Sequence, residues 1–224
     1  MMGFFLNSME VILRGAGVTV KLTVASLLLG AIIAIFVALA QVYGKWWINL
    51  IATTYERILR SIPILIIMFM VFFGLPTFGI RFDPFLAAII SLGLRSSAYQ
   101  SQIYRGALLA VSEGQIMAAR SVGMTGIQTF LHISFPQAAR FSVAPLTNEF
   151  TIVLKDTSIA YAIGVTELLR EGTYIVSTTY DPLLIYSMCA AVYFIMTFGT
   201  NKFVSLLEKG FAIPGYEVRG VERG

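Results

Sequence analysis

Charge is what this sequence has least of. Asp, Glu, Lys and Arg together make up 12% of the 224 residues, hydrophobic residues make up 57%, and the mean hydropathy is +0.80. A soluble domain of this length carries roughly twice that share of charge, whereas a bilayer removes the need for a charged exterior. The composition therefore excludes a soluble fold and points to a membrane. A single cysteine, Cys189, excludes an intrachain disulfide, and a single histidine, His132, excludes a histidine-cluster metal site. There is no Gly-x-x-x-x-Gly-Lys-Ser/Thr phosphate loop, so the chain does not bind ATP by that route. The patterns His-x-x-Glu-His and Gly-x-Ser-x-Gly are also missing, which leaves an intramembrane enzyme without a catalytic set. The first fourteen residues lack the basic, apolar and small-residue regions of a removable signal peptide, so the first span is expected to direct insertion. Nor does the net charge of +4 indicate nucleic acid, because the sixteen Lys and Arg are scattered between apolar segments.

What is abundant is apolar length. A transmembrane helix needs about 20 mainly apolar residues, and about five stretches qualify: 18–42, 58–73, 85–109, 141–163 and 183–207. The first ends at Tyr43-Gly44-Lys45-Trp46-Trp47, a turn glycine, a charge and an aromatic belt of the interfacial kind. The second is short, and Pro63 near its start predicts a bend. The third is unusually polar, with Arg95, Gln100 and Arg105, and the fourth carries Glu149 before Lys155-Asp156-Thr157-Ser158. The segment 112–140 is too polar to span. Within it Ile116, Ala119, Val122, Ile127, Phe130 and Leu131 recur at helical spacing, which predicts two short amphipathic helices broken between Gly123 and Gly126. The fold class is all-α integral membrane, read as a single domain over 1–224. Gly30, Gly93 and Gly199 read as points of close helix packing.

Five spans put the termini on opposite sides. Lys45, Arg57, Arg60, Arg105, Arg120, Arg140, Lys202 and the tail cations Lys209, Arg219 and Arg223 fall on one side; Arg14, Lys21, Arg81, Lys155 and Arg170 share the other with six carboxylates. The richer side is expected to be cytoplasmic, with the N-terminus outside and 112–140 as the largest cytoplasmic loop.

The residues of that loop carry a specific resemblance. Gly114-Gln115-Ile116-Met117-Ala118-Ala119-Arg120-Ser121-Val122-Gly123-Met124, with Phe135-Pro136-Gln137-Ala138-Ala139-Arg140 beyond it, resembles the coupling-loop signature of binding-protein-dependent ABC permeases. That signature runs Glu-Ala-Ala, three residues, Gly, and then an apolar residue and Pro; Ala118, Ala119, Gly123 and Pro136 fall in place. Arg60-Ser61-Ile62-Pro63, Phe73-Gly74-Leu75-Pro76, Tyr104-Arg105-Gly106 and Lys155-Asp156-Thr157-Ser158 resemble the polar amino acid uptake branch, over nearly the whole chain. The resemblance implies a type I importer permease fold with a cytoplasmic coupling helix. It also implies two permease chains in the cell membrane, identical or related, around a shared pathway, with two ATPase subunits inside and a solute-binding protein outside. ATP would sit on the partner, and this chain would bind no cofactor. One departure stands out: Met117 occupies the family's glutamate position. Its thioether can fill an apolar socket but cannot pair with a cation, so Glu113 or Arg120 is expected to supply the polar part of docking, with Gly114 at the start of the helix.

Charges inside spans are costly and usually face a cavity or a partner, which makes Arg95 and Glu149 candidate contacts for an amino acid's carboxylate and ammonium. Glu149 resembles a family position that meets the solute; Arg95 stands where Asn is usual. Alternatively the two pair with each other. Lys155 and Asp156 either belong to the solute path or form an interfacial ion pair. A channel-like protein with water-lined spans remains as a competing reading, and it predicts flux without an ATPase.

Overall fold

A computed structural model describes residues 2–211, with side-chain detail over 7–204. The described chain is helical and contains no strand. Helix α1 (Met2–Tyr43) has 42 residues, about 63 Å at 1.5 Å per residue and twice the hydrocarbon thickness. It starts well before the expected position 18. Hydropathy marks where lipid begins, whereas a helix continues as long as its face finds packing, and Ile12 and Ala16 bury themselves against Leu168, Ile185 and Met188.

Two stripes run along α1. Thr19, Thr23, Ser26, Gly30, Ala34 and Ala38, three or four residues apart, are buried, while Val20, Val24, Leu28, Ile32, Ile35 and Phe36 are exposed. In water this would be inside out. In lipid, where apolar side chains gain nothing by leaving the tails, small residues at the interface let backbones close up. The small stripe receives α4 (Pro84–Leu109), and this pairing is the most extensive in the bundle. A Cβ at Gly30 would meet Gln100 Nε2 at 2.8 Å and the Gly93 carbonyl oxygen at 3.1 Å; one at Gly93 would meet Leu29 Cδ2 at 2.8 Å. Gly199, by contrast, has nothing within 4 Å of its Cβ position and lines an apolar groove between the fourth and last spans.

The second expected span is not one helix. α2 (Trp46–Ser61) stops because Pro63 has no N–H to continue the ladder and drives Ile62 into extended backbone (φ −93°, ψ 130°). α3 (Ile64–Phe69) restarts at a 101° bend, followed by a π turn (Met70–Gly74) and a 3₁₀ turn (Leu75–Phe78). The Asp83 carboxylate then caps α4, accepting from the N–H groups of Phe85 and Leu86.

After α4 come α5 (Glu113–Ser121) and α6 (Gly126–Thr129), either side of Gly123. α6 continues through a π turn (Phe130–Ser134) into α7 (Phe135–Asp156), so the second amphipathic stretch and the fourth span form one rod. That rod ends at Asp156 and not at 163; Thr157–Ile163 is a 3₁₀ segment. α8 (Leu168–Thr179) is absent from the hydropathy pattern because twelve residues are too few for a span. Its cap is Glu167, whose buried carboxylate accepts from the N–H groups of Leu169 and Arg170 and from the Tyr193 hydroxyl on α9 (Pro182–Phe211). Gly172 lets α8 lie directly on Cys189 of α9, and Cys189 is buried as a packing residue.

By length and composition α1 and α9 suffice to cross a membrane, as does the α2–α3 pair if taken as one bent span. α4 and α7 are about 39 and 33 Å long, and what sets them apart is polarity. Arg219 and Arg223, assigned above to the cytoplasmic side, lie outside the described residues.

Candidate functional site

α4 carries its polar residues on two faces. One, made of Ser96, Ser97, Gln100 and Ser101, is buried in the bundle; the other, Arg95, Tyr99 and Gln102, is part-exposed. α7 exposes Ala144, Asn148 and Lys155, again at helical spacing. Arg95 Nη1 donates to Asp156 Oδ2 at 2.6 Å, tying the middle of α4 to the end of α7. The Arg95 guanidinium also lies 4.9 Å from the centroid of the Tyr99 ring. A second guanidinium, that of Arg60 from the last turn of α2, lies 5.0 Å from the same centroid, which sets Arg60 beside mid-span Arg95 and not on the cytoplasmic side expected for it. Arg60 Nη1 donates to Glu56 Oε1 at 2.5 Å one helical turn back.

The alternative in which Arg95 pairs with Glu149 is not the arrangement found. Glu149 is 3% exposed and turns toward the buried face of α4, where its Oε1 accepts from Ser96 Oγ at 2.7 Å. Gln100 Nε2 donates to the same Ser96 oxygen at 3.0 Å and to the Leu27 carbonyl of α1, and the Tyr104 hydroxyl donates to Gln100 Oε1 at 3.1 Å. The carboxylate therefore ends a four-residue hydrogen-bonded chain inside the bundle. Lys155 stays exposed beside Asp156. The Tyr55 hydroxyl and Ser97 Oγ, 2.7 Å apart, pin α2 to α4 just below the two arginines.

Sequence reasoning missed Arg60 and Tyr99 as members of this cluster, and Ser96 as the partner of Glu149. The signal was present for α4 alone: Arg95 and Tyr99, and Ser96 and Gln100, are each four apart and so share a helix face. Nothing in the sequence fixes how α2 is rotated against that face.

On the segment after α4, helix α5 ends in a Schellman motif. Met124 N–H bonds the Ala119 carbonyl at 3.1 Å and Gly123 N–H bonds the Arg120 carbonyl at 3.0 Å, with Gly123 left-handed at φ +87°. The chain turns at once into α6, where Thr125 and Gln128 form a reciprocal capping box. Arg120 reaches across the turn to the Met124 carbonyl, and Glu113 is exposed at the start of α5. Ile116 packs on Ala107, Val111 and Ala138, and Gln137 donates to Gln115 at 2.6 Å, so α5 is anchored to the bundle. Ala119 is buried, while Gly114, Ala118 and Pro136 are exposed. Met117 is 63% exposed, Val122 and Ile127 are exposed on either side of the turn, and His132 lines the same hollow as Val122. Uncovered apolar side chains outside the lipid mark a surface that another protein covers.

Comparison with known proteins gives consistent matches. A family model described as "Binding-protein-dependent transport system inner membrane component" matches residues 26–213. The "Probable amino-acid ABC transporter permease protein YckA" of Bacillus subtilis (strain 168) is 33% identical over 207 residues, covering 92% of each chain. The "Glutamine transport system permease protein GlnP" of Escherichia coli (strain K12) is 31% identical over 208 residues, covering 92% of this chain and 95% of the relative. Among solved structures, the "Crystal structure of an amino acid ABC transporter with histidines" superposes with a TM-score of 0.86 at 33% identity, over 92% of this chain and 96% of that one. An inward-facing MetNI methionine ABC transporter shares the fold, at a TM-score of 0.76 and 20% identity over 92% of this chain and 98% of the other.

Proposed function

The chain belongs to the binding-protein-dependent transport system inner membrane component family, and from that premise we propose that it forms one half of the translocation pathway of an importer for a polar amino acid. It is a multi-pass membrane protein and a transporter subunit, with ATP hydrolysis on a partner ATPase and solute delivery by a binding protein. The observation that carries the proposal is the part-exposed polar face of Arg95, Tyr99 and Gln102 on α4, tied to the end of α7 by the Arg95–Asp156 pair. Such a face is not stable against lipid tails, and a second permease chain, identical or related, presenting its own polar face would enclose an aqueous lane between the two.

The Arg95–Asp156 pair and neighbouring Lys155 would line that lane, with Glu149 behind it on the buried face of α4. The 112–140 segment would dock one of two ATPase subunits through the exposed Met117, Val122 and Ile127, with Gly114, Ala118, Ala119, Gly123 and Pro136 shaping the α5–α6 turn. The N-terminus would lie outside and the C-terminus in the cytoplasm. Amino acid selectivity is carried over from the names of the relatives.

The test is reconstitution. Proteoliposomes holding the chain with its copurified ATPase and binding protein should take up a labelled amino acid only when ATP is enclosed and the binding protein is outside. Uptake by the chain alone, without ATPase, would favour the channel reading instead.

A further inference from the structure

Two guanidinium groups lie against the Tyr99 ring. Arg60 and Arg95 each lie within 5.0 Å of the same ring centroid, so no more than about 10 Å separates them, while the ring holds both by cation–π attraction. Each has one carboxylate behind it, Glu56 for Arg60 and Asp156 for Arg95. A guanidinium carries five N–H donors, and in each ion pair a single N–H···O contact is made. Arg60 keeps 45% of its side-chain surface exposed where Glu56 keeps 6%, whereas Arg95 and Asp156 are both part-buried, at 19% and 24%. Lys155, exposed at the end of α7, adds a third cation next to Asp156.

We propose that Arg60 and Arg95, set on the Tyr99 ring, are the station that recognises the α-carboxylate of the solute in transit, Arg60 being the specificity-determining member contributed by α2. This rests on the reading of the chain as an amino acid permease and adds Arg60 and Tyr99 to Arg95, the contact already considered for the carboxylate. A carboxylate with one oxygen turned to each guanidinium completes donors that the resident carboxylates leave open, in a geometry that the planar fork matches. An amine without the carboxylate meets exposed cations and is disfavoured. Tyr99 is a positioning residue: it fixes the spacing of the forks.

The experiment has two arms. First, complexes of the chain with its ATPase and binding protein are tested in proteoliposomes for uptake of L-glutamine, L-cystine and L-histidine; if none is taken up in an ATP-dependent way, the permease reading itself fails. Second, the transported amino acid and its decarboxylated amine are titrated against the permease–ATPase complex in nanodiscs without binding protein. Wild type should bind the amino acid at least about tenfold more tightly than the amine, the scale of one charge-assisted hydrogen bond. Tyr99→Leu, and the paired change Glu56→Gln with Arg60→Gln that leaves no buried charge unpaired, should each shrink that gap. Arg60→Lys, which keeps charge but loses the fork, should fall between. Equal affinity for acid and amine, a gap unchanged in variants that assemble, or no binding to the wild-type complex would each overturn the proposal while leaving the first arm standing.

Discussion

Replacing Gly123 by Val tests the coupling segment where its geometry is most exposed to perturbation. Gly123 is left-handed at φ +87°, and no heavy atom lies within 4 Å of where its Cβ would be. Steric crowding by neighbours is therefore absent, and the whole effect comes from backbone conformation. A side chain in the left-handed region costs about 1–2 kcal/mol, and a β-branched one stands at the upper end of the 1–3 kcal/mol attached to such strained residues. At about 2 kcal/mol the α5–α6 turn falls roughly thirtyfold in population relative to alternatives, since each 1.4 kcal/mol is a factor of ten. The exposed apolar side chains Met117 and Val122 before the turn and Ile127 after it are then no longer held in one arrangement. The expected result is loss of ATPase copurification, or hydrolysis no longer stimulated by binding protein, together with loss of uptake. Gly123→Asn should be mild, because Asn tolerates the left-handed region. Gly199→Val, in open space on α9, serves as the control for mutating a glycine of this bundle. If Gly123→Val leaves copurification, stimulated hydrolysis and uptake at wild-type levels, the turn does not organise coupling.

Glu149→Gln should leave the complex assembled, because an amide oxygen still accepts from Ser96, and should lower uptake at matched ATPase activity; unchanged rate and apparent affinity would remove Glu149 from the pathway. Ser96→Ala takes away the donor to a buried carboxylate, an effect of about 2 kcal/mol, and should lower the thermal midpoint of the purified complex while Ser158→Ala, on a part-exposed serine, does not. Gly30→Val should block the approach of α1 to α4, where even a methyl group meets the Gly93 carbonyl at 3.1 Å; normal yield and melting of that variant would show that this contact is dispensable. Met117→Glu places a carboxylate among these exposed apolar side chains and should weaken ATPase copurification, by up to about 3–5 kcal/mol if it is buried there without a partner; tighter association would mean that the partner cleft still offers a cation.

The helices were legible in the sequence wherever lipid dictates the pattern. α4 begins one residue before the expected 85, and the expected 183–207 lies within α9. The Gly123 break was also legible, because the left-handed backbone there favours glycine. What hydropathy does not encode is packing outside the hydrocarbon. The first turns of α1 and all of α8 are held by Ile12, Leu168 and the Glu167 cap, which no window of twenty residues detects. Pro63 signalled a disturbance, but whether it kinks or severs a helix depends on where the next helix finds its partners. Pairings were the least legible part. Arg95 and Glu149 were both visible as candidates, yet their partners, Asp156 and Ser96, follow from the rotation of α7 about its axis, which one sequence does not specify.

Helix α1 also serves as a depth gauge. Lys21 is exposed near one end of its apolar stretch and Tyr43 precedes Trp46 and Trp47 at the other, a separation of about 33 Å along the helix, close to one hydrocarbon thickness. Gly30 lies about 14 Å from Lys21 on the same scale, near the middle, and Gly30 touches Gly93 and Ser97. Arg95 and Ser96, between those two residues, therefore sit near the bilayer midplane, where about half of any transmembrane voltage has been dropped. A lone charge at that level would feel about 1.2 kcal/mol per 100 mV, half the full-span value. Arg95 with Asp156, and Arg60 with Glu56, each sum to no net charge, so these two pairs are indifferent to the membrane potential, and an electrically neutral zwitterion passing between them would be as well.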